Sequence, residues 1–211
     1  MRVLITGASQ GLGYELCKHL KASTIHCIDI VKPQQELQNV TYHKLDIRSE
    51  ETIKLLSTLE EFDLIINNAG VMRRGTISEI SLDDFKTSLE INVLGSWLIS
   101  RYAKLSLNGQ ILFINSRHGL DLKKDPAIYS LTKKSLNLLA ELFRKDKFVV
   151  KEAFLGPFKG GVSQEGHTKE EYAKRELSTP SEIANLIIKL IESSSKTRLI
   201  YDENKKVHYL E

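Results

Sequence analysis

Cysteine is nearly absent from this chain: its 211 residues contain only Cys17 and Cys27. One pair without CxxC spacing gives neither a disulfide framework nor a metal knot. Cys17 falls in a helical pattern and Cys27 in a strand-like one, so both read as small buried hydrophobes. The six histidines are scattered without an HExxH or comparable cluster, and no structural metal is expected. An excess of one charge is missing as well. The net charge is +3, with lysine and arginine spread among glutamate and aspartate. That distribution argues against nucleic acid as a partner. No apolar run approaches the length of a membrane span, and Met1-Arg2 leads at once into Val3-Leu4-Ile5, too short for a secretory hydrophobic region. A cytoplasmic location without membrane contact is expected. Repeats, low-complexity tracts and linkers rich in proline, glycine or serine are also absent, so one domain over residues 1–211 is expected.

What is present is alternation. Val3–Ile5, Ile25–Ile28, Leu64–Ile66, Ile111–Ile114 and Phe148–Val150 are compact apolar runs of strand length. Most lack an apolar-polar rhythm, as parallel strands covered on both faces do. Helical patterns lie between them, over Leu12–Lys21, Glu50–Leu59, Leu82–Leu105 and Ala127–Lys145. Ser81-Leu82-Asp83-Asp84 and Thr179-Pro180-Ser181-Glu182 fit the pattern of a capping box at a helix start. Thr197–Tyr201 and Lys206–Leu210 read as a final strand and a short extra one. The expected fold class is α/β: a Rossmann-like, doubly wound parallel sheet with helices on both faces.

Strand Val3–Ile5 runs into Thr6-Gly7-Ala8-Ser9-Gln10-Gly11-Leu12-Gly13, where a helix opens. A glycine-rich turn at a helix N-terminus presents N–H groups to an anion, and a pyrophosphate suits it. The spacing differs from the GxGxxG fingerprint. Asp29 ends the second strand, where an acidic side chain can accept hydrogen bonds from ribose hydroxyls.

With these motifs in order, the chain resembles the short-chain dehydrogenase/reductase family from end to end. TGASQGLG at 6–13 is similar to the family's TGxxxGxG loop, and Asn67-Asn68-Ala69-Gly70 to its NNAG turn. Asp46-Ile47 resembles the pair that holds the adenine ring. Asn92 in EINVLG, Ser116 in INSRHG, and Tyr129 and Lys133 in YSLTK stand at the positions of the catalytic tetrad. The resemblance implies a cofactor site made by Gly7, Ser9, Gln10, Gly11, Leu12, Gly13, Asp29, Asp46, Ile47, Asn68, Ala69, Gly70, Tyr129, Lys133 and Gly156. Two departures stand out. Leu155-Gly156-Pro157 replaces the usual Pro-Gly, and Gly160 stands where a threonine often holds the nicotinamide amide. The segment between the second and third strands leaves little room for the usual second helix.

The chemistry follows from residue types. Tyr129 and Lys133 are four apart and share a helix face. A free tyrosine has a pKa near ~10, and a neighbouring ammonium favours its phenolate. Tyr129 would then protonate the substrate oxygen during reduction, with Ser116 orienting that oxygen. Lys133 would also anchor the nicotinamide ribose, and Asn92 would hold a water leading from Lys133 to solvent. The expected function is hydride transfer between a nicotinamide cofactor and a carbonyl or alcohol substrate. NAD(H) is favoured over NADP(H), because Asp29 repels a 2′-phosphate and Gln10 is neutral. Arg73, Arg74, Arg117, His118, Lys123 and Lys124 raise an anionic substrate as an option, against solvated loops or salt bridges to another subunit. The alternative function is a nucleotide-sensing protein of the same fold without turnover. A sugar-nucleotide epimerase would need a larger C-terminal domain. A homodimer or homotetramer is implied by the resemblance, and residues 156–178 are expected to form a substrate lid.

Overall fold

The computed structural model describes residues 1–160 and 177–211. Its strands are β1 (Arg2–Thr6), β2 (Thr24–Asp29), β3 (Val40–Lys44), β4 (Phe62–Asn67), β5 (Leu105–Ser116), β6 (Val149–Leu155), β7 (Arg198–Asp202) and β8 (Val207–Leu210). The helices are α1 (Gly11–His19), α2 (Glu50–Thr58), α3 (Leu82–Leu89), α4 (Ser96–Tyr102), α5 (Ala127–Lys145) and α6 (Pro180–Glu192). One sheet runs in the order β3-β2-β1-β4-β5-β6-β7-β8, parallel as far as β7, with β8 closing the edge antiparallel. This is the doubly wound α/β sheet that the sequence pattern predicts.

The apolar runs build it because successive side chains of a strand point to opposite faces. Val3, Ile5, Leu64, Ile66, Leu112 and Ile114 join Leu16 of α1 and Ile183 and Ile187 of α6 in one core. The intervening Leu4 and Ile65 face Leu56 of α2 and Ile99 of α4. Ile111 and Phe113 face Leu136, Ala140 and Phe143 of α5. A run buried on both faces therefore needs no polar alternation. Cys17 and Cys27 are buried and free, as the sequence suggests, and burial pushes each thiol up to about 12.

β6 also carries two adjacent charges to opposite faces. Lys151 Nζ donates to the carbonyls of Leu190, Ile191 and Ser193 at 2.6, 3.0 and 2.5 Å, satisfying the end of α6. On the other face Glu152 is wholly buried and pairs with Arg144 of α5 at 2.9 Å. Both α3 and α6 start as expected, with a difference in detail. Thr179 and Glu182 form the full reciprocal capping box. Ser81 Oγ accepts the Asp84 N–H at 3.1 Å, but the shorter Asp84 carboxylate takes the Ser81 hydroxyl instead of its backbone N–H.

The helix expected over 82–105 is corrected at its end. It passes through a π-helical turn at Glu90–Gly95 and stops at Tyr102. Leu105 instead opens β5, opposite Phe62 of β4, whose N–H donates to the Lys104 carbonyl at 2.8 Å. Sheet pairing outweighs local pattern there. Between β2 and β3 there is no helix, as the short segment predicts. No described helix is long and apolar enough to cross a membrane. Residues 161–176, most of the expected lid, lie outside the described residues.

Candidate active site

Parallel strands end on one edge of a sheet, and the turns that follow them surround a cleft of about 1200 Å³. Gly7, Gln10, Gly11, Leu12, Gly13, Asp29, Asp46, Ile47, Asn68, Ala69, Gly70, Ser116, Tyr129, Lys133 and Gly156 all line it. Ser9 and Asn92 do not. Both are buried behind the wall, and each has its side chain committed to backbone partners.

The glycine turn forms one half. Gly7 and Gly11 take φ of 66° and 56°, where a Cβ is strained. A Cβ on Gly13 would overlap the Gly7 carbonyl and come within 2.7 Å of Asn68 Nδ2. Asn68 braces the turn from behind, donating to the carbonyls of Thr6 and Gly7 at 3.0 and 2.8 Å. Thr6 Oγ1 accepts the N–H groups of Asn68 and Ala69, both at 3.1 Å. Gln10 begins α1 without a side-chain cap, and its first turn holds no acidic residue. The first-turn N–H groups thus remain for an anion, and the glycine cradle leaves room for one. That geometry fits the pyrophosphate of a dinucleotide.

Asp29 stands at the rim, its two carboxylate oxygens accepting the N–H groups of Ser9 at 2.9 Å and Val31 at 3.3 Å. Ser9 Oγ donates to the Val31 carbonyl at 2.6 Å. Ser9 therefore shapes the turn that presents Asp29, with its side chain turned to the backbone. The Asp46 carboxylate pairs with Arg48 at 2.7 Å, and that guanidinium holds its carboxyl below the usual range. Ile47 packs under Gly95 of the π-helical turn, where a Cβ would overlap it.

On the other half, Tyr129 and Lys133 share the cleft face of α5. Lys133 Nζ lies 5.6 Å from the Tyr129 ring centroid and donates to the Ile114 carbonyl at 2.9 Å. Burial pushes this ammonium down to about 8. Ser116 ends β5 and caps a 3-10 turn over Arg117–Gly119, its Oγ accepting the His118 N–H at 3.3 Å. The Ser116 N–H donates to Asn115 Oδ1 at 2.8 Å. Asn115 Nδ2 in turn donates to the buried Glu152 at 3.3 Å, which fixes the direction of the amide.

Asn92 Oδ1 accepts the Val71 N–H at 2.8 Å. Its Nδ2 donates to the Val71 carbonyl at 2.8 Å and to Thr132 Oγ1 at 3.0 Å. Both amide protons are committed, so the water expected on Asn92 gains no support from them. What Asn92 does is tie the turn after β4 to α5. A Cβ on Gly70 would lie 3.2 Å from Asn92 Oδ1 and 3.7 Å from Lys133 Nζ, so glycine keeps the space between them open.

Sequence reasoning missed several participants. Asn115 and Glu152 were legible as polar residues inside apolar runs. Tyr201 and Glu203 carried no signal, since only the β7–β8 hairpin brings them to the cleft. A Cβ on Gly156 would overlap the Tyr201 ring, which accounts for that glycine by packing. Four of the basic loop side chains have carboxylate partners. Arg73 meets Asp84 at 2.9 Å, Arg117 meets Asp121 at 2.5 Å, Arg74 faces Asp125 at 3.7 Å and Lys123 faces Glu203 at 3.9 Å.

A doubly wound sheet with a glycine turn at α1 and a polar cluster at the end of β5 defines a dinucleotide-binding type of domain. The profile of the short chain dehydrogenase family matches residues 1–148, and the chain belongs to that family. It is 27% identical to an uncharacterized oxidoreductase of Schizosaccharomyces pombe over 92% of this chain and 84% of the relative. A short chain dehydrogenase from Burkholderia cenocepacia in complex with NADP has the same fold, with a TM-score of 0.82 at 20% identity over 93% of this chain and 86% of that one. A short chain dehydrogenase from Leptospira borgpetersenii with bound NAD+ gives 0.76 at 21% identity over 92% and 86%.

Proposed function

We propose that this protein is a nicotinamide-dependent oxidoreductase that interconverts a carbonyl compound and its alcohol, with Tyr129 moving the proton. The observation that carries this reading is the meeting of Ser116, Tyr129 and Lys133 on one wall of a cleft whose other wall is the uncapped start of α1. When bound, a nicotinamide cofactor supplies or accepts the hydride. Gly7–Gly13 would hold its pyrophosphate, Asp29 its adenosine ribose and Lys133 its nicotinamide ribose. Ser116 orients the substrate oxygen. The Tyr129 hydroxyl gives its proton to that oxygen on reduction and takes one back on oxidation. Lys133, with its ammonium near 8, stays largely protonated at neutral pH and favours the phenolate. Because Arg73, Arg74, Arg117 and Lys123 each face a carboxylate, an uncharged substrate is favoured over an anionic one.

NAD(H) is the preferred cofactor, NADP(H) the alternative. A carboxylate pinned at the rim repels a 2′-phosphate, and like charges brought together cost several kcal/mol in general. Titration of the protein with NADH and NADPH should show NADH binding at least about tenfold more tightly. Its oxidation should then follow on adding a panel of aldehydes and ketones. Tighter NADPH binding would remove the role given to Asp29. Binding without oxidation of any carbonyl would instead indicate a nucleotide-sensing protein.

We read the α3–α4 and α5 faces as the contact between copies in a homodimer or homotetramer. Leu94 and Trp97 on one, and Leu138 and Leu142 on the other, are exposed apolar side chains. Sedimentation should give at least twice the chain mass, and a monomer at micromolar concentration would refute it.

A further inference from the structure

His118 lines the cleft next to Tyr129 and has no part in the proton transfer. The two rings meet in a T-shaped contact with centroids 5.5 Å apart. His118 follows Ser116 by two residues, and its N–H donates to Ser116 Oγ. Its Nδ1 lies 3.3 Å from Ser130 Oγ on α5. That hydroxyl already accepts the Lys123 N–H at 3.2 Å. A hydroxyl has one proton to give, and among the described residues the His118 Nδ1 is the acceptor it reaches. When the Ser130 hydroxyl gives that proton to Nδ1, the ring proton sits on Nε2, and this is the tautomer the proposal takes. His118 lines the cleft, and its Nε2 has no hydrogen-bond partner among the described residues.

The charge state is set by the surroundings. Burial, then Lys123 and Arg74, push the imidazole below its ordinary pKa, and Glu203 opposes them only in part. The ring is neutral at neutral pH and offers a donor without a charge. A neutral N–H suits an uncharged oxygen, in keeping with the balanced charges of the mouth. Because the ring packs against Tyr129, a group it binds would lie beside the proposed proton donor.

We propose that His118 Nε2–H binds a substrate oxygen, so that this enzyme selects carbonyl compounds with a hydroxyl or second carbonyl on the carbon beside the one reduced. The proposal rests on the oxidoreductase reading and adds the substrate class. Hydroxyacetone and 2-butanone form a matched pair of similar size, with and without that oxygen. The wild-type protein should prefer hydroxyacetone in kcat/KM. His118→Phe, which keeps a ring against Tyr129 but removes the donor, should lower the ratio of the two kcat/KM values about tenfold. His118→Gln, which restores a donor, should recover part of it. Ser130→Ala releases the tautomer without touching the ring and should lower the ratio in the same direction. Equal losses on both substrates would make His118 a packing residue and overturn the proposal. So would an unchanged ratio in the Phe and Ala variants, or wild-type protein that reduces 2-butanone as readily as hydroxyacetone. Wild-type protein inert towards every carbonyl tried would take the oxidoreductase reading down with it.

Discussion

Tyr129→Phe is expected to lower kcat by about 10²–10⁴-fold, the range that loss of a positioned general acid produces. Phenylalanine keeps the ring that meets His118 and lies beside Lys133, and it removes only the hydroxyl. Cofactor affinity should accordingly be largely retained, since the glycine turn and Lys133 are untouched. Steady-state kinetics paired with a fluorescence titration of NADH separates the two effects. Turnover near that of the wild type would show that another group handles the proton. Loss of cofactor binding in parallel with turnover would show a structural collapse in place of a chemical one.

Arg144→Leu is expected to destabilise the fold by about 3 kcal/mol at pH 8, the cost of leaving a buried charge without its partner. For a chain of this size that is a fall in Tm of roughly 6–12 °C. Glu152 is wholly buried, and burial already raises its carboxyl above the ordinary range against the pull of Arg144, Asn115 and Arg198. Without the guanidinium, burial is less opposed and the folded-state pKa rises further. A carboxyl whose folded pKa lies above its unfolded value costs stability when ionised, and that cost disappears as pH falls through the folded pKa. The deficit of Arg144→Leu relative to the wild type should therefore shrink between pH 8 and pH 5.5. His26, His43, His118 and His208 are all lowered by burial, and wild type and variant alike lose stability in acid through them. Comparing the two proteins at each pH cancels that shared loss. A deficit that grows with acid, or an unchanged Tm at pH 8, would refute the argument. The same Glu152 accepts from the Asn115 amide that receives the Ser116 N–H, so the substitution should also loosen the end of β5.

Much of the fold was legible because its signals are local. The apolar runs at 3–5, 64–66 and 111–114 are short and unbroken, which is what burial on both faces of a sheet requires. The glycine turn was readable because positive φ and close approach select glycine at fixed positions. β3 was harder to bound. It lies at the sheet edge, half exposed, and Val40-Thr41-Tyr42-His43-Lys44 mixes apolar and polar residues without a clean period. The junction of helix and strand at 102–105 was misread for a related reason. Its residues suit either structure, and only pairing with Phe62 decides between them.

The sequence by itself determined the alternation of elements, the glycine turn at α1, and the order in which Ser116, Tyr129 and Lys133 follow one another. Those are properties of neighbours along the chain, carried by periodicity and backbone preference. The tertiary structure alone decided which of the nominated side chains face the cleft. It turned Ser9 and Asn92 to backbone partners and brought Tyr201 and Glu203 in from a distant hairpin. It also set Arg73, Arg74, Arg117 and Lys123 against carboxylates and fixed the Asn115 amide through Glu152. Hydrogen bonds and charge pairs form between side chains far apart in sequence, and their geometry depends on sheet register and helix packing, which no single segment encodes.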